Sequence, residues 1–163
     1  MRIGEHPVRE HVRLLAPALV LVAGVWLLRL IIGAAGTPIS LTKIVSVTVA
    51  TTMSVLLTVI LIHARRFGGY TNVVVASLLI NLWSQLLIIL SIVFSIVTRI
   101  ENVYTAPEFS LPGTYENQWA HIHGHLTFGV GVGSLVGAAE GCLLLWLLRR
   151  LLPPEKLNPG STT

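Results

Sequence analysis

The stretch Val73–Thr98, VVVASLLINLWSQLLIILSIVFSIVT, decides the fold class, because it has no charged residue and exceeds the roughly 20 residues that a helix needs to cross a bilayer. Three other apolar runs are long enough to do the same: Leu14–Ala35, Ile44–His63 and His121–Leu148. Hydrophobic residues make up 53% of the chain and charged residues 11%, whereas soluble domains carry about 25% charged residues. The sequence therefore predicts an all-α integral membrane protein built as a four-transmembrane-helix bundle.

One membrane domain is predicted over residues 1–152, followed by a polar tail, residues 153–163, that is rich in Pro, Ser and Thr. Chain ends of this kind are usually poorly ordered, so we expect a mobile cytoplasmic tail. The polar segment before the first span does not resemble a cleavable signal peptide. No pattern typical of hydrolytic or phosphoryl-transfer sites is present, and the sequence does not decide whether the protein is an enzyme.

Basic residues are distributed unevenly over the two ends of the predicted spans. One side carries Arg2, Arg9, Arg13, Arg65, Arg66, Arg149, Arg150 and Lys156, and the other carries Lys43 and Arg99. The positive-inside rule then predicts cytoplasmic termini in a multi-pass protein of a prokaryotic inner membrane. Basic helix ends meet anionic lipid, which accounts for the net charge of +4 without nucleic acid. The expected partners are the lipid bilayer and either other membrane subunits or further copies of this chain.

Three histidines lie at the start of the fourth span, in the stretch His121-Ile-His123-Gly-His125. Helical residues four apart share one face, so His121 and His125 are predicted to chelate one metal ion. His123 joins them only if the first turn is irregular, which Gly124 would allow. Imidazole suits copper, zinc and iron, and a further ligand is expected from the preceding loop: Glu101, Glu108 or Glu116. An interfacial or proton-responsive histidine cluster is the alternative.

Glycines continue the face that carries the two histidines, at positions 129, 133, 137 and 141. Small residues at this spacing let two helix backbones approach closely. The alternative is a flat groove for a planar cofactor such as haem, in which Gly129 and Gly133 would lie beneath the ligand His125. The two interpretations are compatible if the upper part of the stripe holds a ligand and the lower part packs on a helix.

Polar side chains inside the spans also follow helical spacing. Asn81 and Gln85 lie on the third span, and Glu140 is the one acid deep within the fourth. Such groups are expected either to form interhelical hydrogen bonds or to line a path for protons or a quinone headgroup. Glu140, seven residues after Gly133, is expected on the glycine-lined face, where a structural ion pair is as consistent with the pattern as a proton-transfer role.

The segment Ala120-His-Ile-His-Gly-His-Leu-Thr-Phe-Gly129 resembles the start of a transmembrane helix in the catalytic subunits of haem–copper oxidases and nitric oxide reductases. In that family a histidine near the outer end of the helix ligates haem and small residues follow beneath it. The resemblance implies that His125 matches the haem ligand. The family's subunit has many more spans and histidines, so the resemblance implies a small relative or accessory subunit with one metal centre.

Together these patterns predict a small membrane subunit with a histidine-ligated metal or haem site at the extracytoplasmic end of the fourth helix. The expected cofactor is haem or copper, with zinc also compatible, and the expected role is electron transfer or metal handling in a respiratory or oxidase-type complex. Two alternatives are a non-catalytic scaffold subunit that packs through its glycine-rich helix and a small transporter of protons or metal ions.

Overall fold

The computed structural model of the chain describes residues 2–3, 6–109 and 117–152. The predicted tail, residues 153–163, and the candidate ligand Glu116 lie outside the described residues. Two short strands, β1 (Arg2–Ile3) and β2 (His6–Pro7), pair antiparallel ahead of the first helix. The rest of the described chain is helices and their connections.

The first three spans are α1 (Val8–Ala34), α3 (Val47–Ala64) and α4 (Tyr70–Thr98), and the short helix α2 (Ile39–Ile44) precedes α3. The fourth span is one long helix in three parts: α5 (Gln118–Gly124), a π-helical segment (His125–Val132) and α6 (Gly133–Leu151). All four spans are long and apolar enough to cross a membrane, which confirms the all-α fold class and the number of candidate spans.

The helices are longer than their apolar cores. α1 begins at Val8 rather than Leu14, and α4 and the fourth span begin at Tyr70 and Gln118. Hydropathy marks the part of a helix that suits lipid, whereas backbone hydrogen bonding continues into polar turns such as the one that contains Glu10. Three of the four helices therefore begin before the predicted spans, whereas α3 begins at Val47, three residues after the predicted Ile44.

The α3 and α4 helices form the centre of the bundle. α3 packs against α1, α4 and α6, and α4 packs against α1 and α6, so α1 and α6 lie on opposite sides. Fully buried apolar side chains from all four spans fill the interior, among them Val22, Ile62, Ile80 and Leu145. We call the end where α4 finishes and α5 begins the histidine end, and the end that carries Arg149 the basic end.

Polar side chains join the helices inside the bundle. The hydroxyls of Thr51 on α3 and Ser84 on α4 form a hydrogen bond of 2.9 Å, and the Trp26 indole of α1 donates to Ser91 of α4 at 2.9 Å. Such groups need protein partners where water is excluded. These contacts match the expectation that polar stripes on neighbouring spans form interhelical hydrogen bonds.

The loop after α4 folds over the histidine end of the bundle. Asn102 of this loop donates to the Ser91 carbonyl at 2.8 Å, and the phenol ring of Tyr104 is buried. The Arg29 guanidinium of α1 lies 4.4 Å from the centroid of the Phe109 ring and 5.1 Å from that of Tyr104. Cation–π contacts therefore hold the loop against α1.

Candidate metal site

The glycine stripe of the fourth span packs directly on α4. A β-carbon added at any of the four glycines would lie 2.5 to 2.7 Å from an α4 side chain, closer than real contacts allow. The facing pairs run antiparallel with a four-residue step on both helices: Gly129 with Gln85, Gly133 with Asn81, Gly137 with Ser77 and Gly141 with Val73. The stripe therefore serves close packing within the chain, which leaves it unavailable as a docking face for another subunit.

The π-helical segment helps to keep this stripe aligned with α4. In a regular α-helix each four-residue step rotates a side chain by about 40° relative to the previous one. A π-helical turn holds more residues, so the same step rotates in the opposite direction. Placing the π-helical turns between His125 and Gly133 offsets the drift and keeps this part of the stripe facing α4.

The predicted pair of histidines is formed. The Nε2 atoms of His121 and His125 are 3.2 Å apart, and the two ring planes are tilted by 31°. The Nδ1 atom of His125 lies 2.6 Å from Oε1 of Gln85. An amide oxygen only accepts hydrogen bonds, so the Nδ1 of His125 carries the ring hydrogen and its Nε2 carries none. In the absence of metal the Nε2–H of His121 then donates to it.

His123 does not join the pair. Its side chain is exposed, and only its backbone carbonyl is engaged, by the Thr127 hydroxyl at 2.8 Å. The first turns of α5 are regular and the irregular segment begins only at His125, so the distortion that would have turned His123 inward is absent. In the described part of the chain no three His, Cys, Asp or Glu side chains meet in a metal-binding group. Glu101 and Glu108 line a different cavity.

The pair lies near the start of the fourth span, and its partner Gln85 reaches it from the middle of α4. Its partner Gln85 is 15 residues from the first residue of α4 and 13 from the last, which is about 22 Å and 20 Å along the helix axis. On the fourth span, His121 and His125 are the fourth and eighth of 34 residues, near the end at which the site was predicted, and the side of a membrane that this end faces stays a prediction.

A cavity of about 490 Å³ lies beside the pair, between α3, α4 and the fourth span. Its walls combine the two histidines with hydroxyl, amide and apolar side chains, including Thr48, Thr51, Thr52, Val55, Asn81, Gln85, Phe109, Phe128, Val132 and Val136. Phe128, Val132 and Val136 are 70%, 51% and 50% exposed, so the cavity opens sideways past them. Gly129 and Gly133 also border it, but Gln85 and Asn81 cover the part of the stripe predicted to face a porphyrin.

Of the three residues expected on a polar path, Asn81 and Gln85 line the same cavity and Glu140 does not. Gln85 contacts His125, and Asn81 is buried, donating to the Ser77 carbonyl at 2.9 Å. Glu140 is exposed on the outer face of α6 and makes no hydrogen bond or ion pair within the described residues. The prediction that it shares the glycine-lined face was wrong.

The position of Glu140 follows from helix geometry. Along α6 the buried face is centred on Gly141, which lies between Gly137 and Leu145 on the helix surface. Each four-residue step along these positions rotates the buried face by about 40°, and Glu140 lies about 100° from its centre. Gly133 lies on the buried face at the start of α6. By position 140 the buried face has rotated away from the side of the helix that carries Glu140.

The sequence patterns did not point to Thr48 and Thr52, which line the α3 wall of the cavity. Thr48 and Thr52 are four residues apart, so a spacing signal was present, but it did not indicate which helix they would face. No family model, curated protein or solved structure matches the chain.

Proposed function

We propose that this chain is a multi-pass protein of a prokaryotic inner membrane that binds one metal ion between the Nε2 atoms of His121 and His125. The observation that carries the proposal is the separation of 3.2 Å between these atoms. If a zinc ion lay at the usual distance of about 2.0–2.1 Å from both nitrogens, the N–Zn–N angle would be about 100°, close to the tetrahedral value. The uneven basic residues support cytoplasmic termini.

The amide of Gln85 supports the same interpretation. Metal-ligating histidines commonly donate their second ring N–H to an oxygen acceptor, which fixes the tautomer and the ring orientation. His125 has this arrangement, with Nδ1 on Gln85 and Nε2 turned toward His121. Two histidine ligands leave positions on a tetrahedral ion for water or an incoming ligand. Copper and zinc suit imidazole, and the role we propose is metal handling or electron transfer within a larger membrane complex.

The pair favours a bare ion over haem. A haem iron takes an imidazole nitrogen on the axis of the porphyrin, whereas the Nε2 of His125 faces that of His121 at 3.2 Å with no room for a ring between them. The haem that the resemblance implies for His125 would require the two rings to separate. Oxidised and dithionite-reduced visible spectra of the purified protein distinguish haem from a bare ion. A Soret band that is lost in His125→Ala would show that His125 binds haem and would contradict the bare ion.

The central test is metal titration of the detergent-purified protein with Zn²⁺ by calorimetry and with Co²⁺ by visible absorption. We expect one ion per chain, and His121→Ala and His125→Ala should lower affinity by more than the roughly 10- to 100-fold typical of losing an outer-shell partner. His123→Ala is the matched control, because it removes an exposed imidazole two residues from each member of the pair. Equal losses in all three variants, or no stoichiometric binding by the wild type, would contradict the proposal.

A further inference from the structure

The side opening of the cavity faces the region that the membrane would occupy. α3 packs closely on α6 but makes few close contacts with the π-helical segment, which leaves a cleft between them. The cleft is bordered by the exposed apolar side chains of Phe128 and Val132. It lies near the level of Gln85, the middle of α4. A molecule that enters through the cleft therefore comes from the hydrocarbon layer rather than from water.

The α3 wall of the cavity carries two hydroxyls without protein partners in the described chain, on Thr48, which is exposed, and Thr52, which is half-buried. The hydroxyls of Thr48 and Thr52, one helical turn apart on α3, make no hydrogen bond within the described residues. The same cavity is lined by His121, His125 and Gln85. A hydroxyl that lacks both water and a protein partner is costly in an apolar medium. The cavity thus offers hydrogen bonds that a ligand head can complete.

We propose that the cavity binds a neutral, membrane-dissolved amphiphile that carries a carbonyl or phenol head. The head lies between the α3 threonines and the histidine pair, and the apolar part leaves through the cleft past Val132 and Val136. Apart from the proposed ion, no charged side chain from the described part of the protein lines the cavity, so the hydroxyl and amide groups of its walls suit a neutral head. The inference rests on the membrane insertion proposed above, and it places the ligand oxygen beside the open positions of the ion.

Photochemical labelling with 4-decylbenzophenone tests this binding site in wild-type protein reconstituted in phosphatidylcholine liposomes. The probe is neutral, has one carbonyl head, and inserts into nearby C–H bonds on irradiation. We expect adducts to concentrate on residues 48–55 and 128–136, with lipid-facing residues such as Leu57 and Leu78 labelled at background level. Adducts spread evenly over the lipid-facing residues would overturn the proposal.

Two controls separate the cavity from general partitioning into lipid. Thr52→Trp places a large side chain at the cavity wall and should reduce labelling there to background, whereas Met53→Trp makes a similar change on the exposed face of α3 and should not. In wild-type protein, decyl phenyl ketone should compete with the probe for the cavity about fivefold better than decylbenzene, because its carbonyl accepts one hydrogen bond. Equal competition by the two would overturn the proposal even if Thr52→Trp failed to fold.

Metal titration of the same preparation keeps this inference distinct from the proposed function. One ion bound per chain with evenly distributed adducts would leave the histidine site standing and remove the amphiphile. Adducts concentrated at the cavity in a protein that binds no ion would support the amphiphile site and contradict the metal site. Both results are read from wild-type protein, so neither depends on the stability of a variant.

Discussion

Gly137→Ala tests whether the glycine stripe sets the distance between α4 and α6. The added methyl carbon would lie 2.5 Å from the Oγ of Ser77 and 3.3 Å from the Nδ2 of Asn81. Ser77 is fully buried and donates to the Ser134 carbonyl at 3.2 Å, so its hydroxyl has to move about 1 Å to reach ordinary contact distance and give up this bond. The methyl group is therefore accommodated only at a cost in packing.

The magnitude follows from two opposing effects. Overpacking a well-filled interior costs about 1–3 kcal/mol, whereas replacing glycine by alanine inside a helix gains about 1 kcal/mol. Gly24→Ala in α1 is the matched control, because its added carbon would meet nothing within 4 Å and it retains only the gain. The free energies of unfolding of the two variants should therefore differ by about 1–3 kcal/mol, with Gly137→Ala the less stable.

Reversible unfolding in mixed micelles, followed by tryptophan fluorescence as the fraction of sodium dodecyl sulfate rises, measures this difference. Adding Ser77→Ala to Gly137→Ala removes the clashing oxygen and should recover part of the loss, with a coupling of about 0.5–3 kcal/mol. Equal stability of Gly137→Ala and Gly24→Ala, or no recovery in the double variant, would refute the close packing of the two helices.

Three further predictions address the site and the loop above it. Gln85→Leu removes the acceptor of the His125 Nδ1–H and should weaken metal binding about 10- to 100-fold by calorimetry; unchanged affinity would show that the amide does not orient the ring. Burial raises the pKa of Tyr104. The phenolate absorbance that the wild type shows and Tyr104→Phe lacks should therefore appear only above about pH 10 in a pH titration, and its appearance at or below that pH would contradict a buried phenol. The folded state should lose stability as pH rises above about 10, because the unfolded chain ionises first, and Tyr104→Phe should reduce this loss.

The four spans could be predicted because lipid imposes a simple rule on composition. A run such as Val73–Thr98 has to satisfy its backbone internally and face hydrocarbon, so length and hydropathy suffice to find it. The first turns of α1 escaped the same rule, since a helix that continues past the apolar region is held by backbone hydrogen bonds that composition does not report. The number and approximate place of the spans were therefore accessible, and their ends were not.

The two histidines could be paired from their spacing, because i and i+4 residues share a face whatever surrounds the helix. Their partner Gln85 could not be predicted, since it depends on how far the fourth span slides along α4. The π-helical segment also has no local signal in the sequence, because the eight residues His125–Val132 are equally compatible with a regular α-helix. Tertiary contact selects the irregular form.

One row of side chains connects these observations. Ser77, Asn81 and Gln85 occupy the space that the missing side chains of the glycine stripe leave open, so the packing of the stripe fixes the register between α4 and the fourth span. The last member of the row is also the acceptor that orients His125. A slide of one residue along the helix axis, about 1.5 Å, would break the hydrogen bond between Gln85 and His125. The glycines therefore act on the histidine site without touching it, and the same sequence pattern accounts for both the close helix contact and the orientation of the ring.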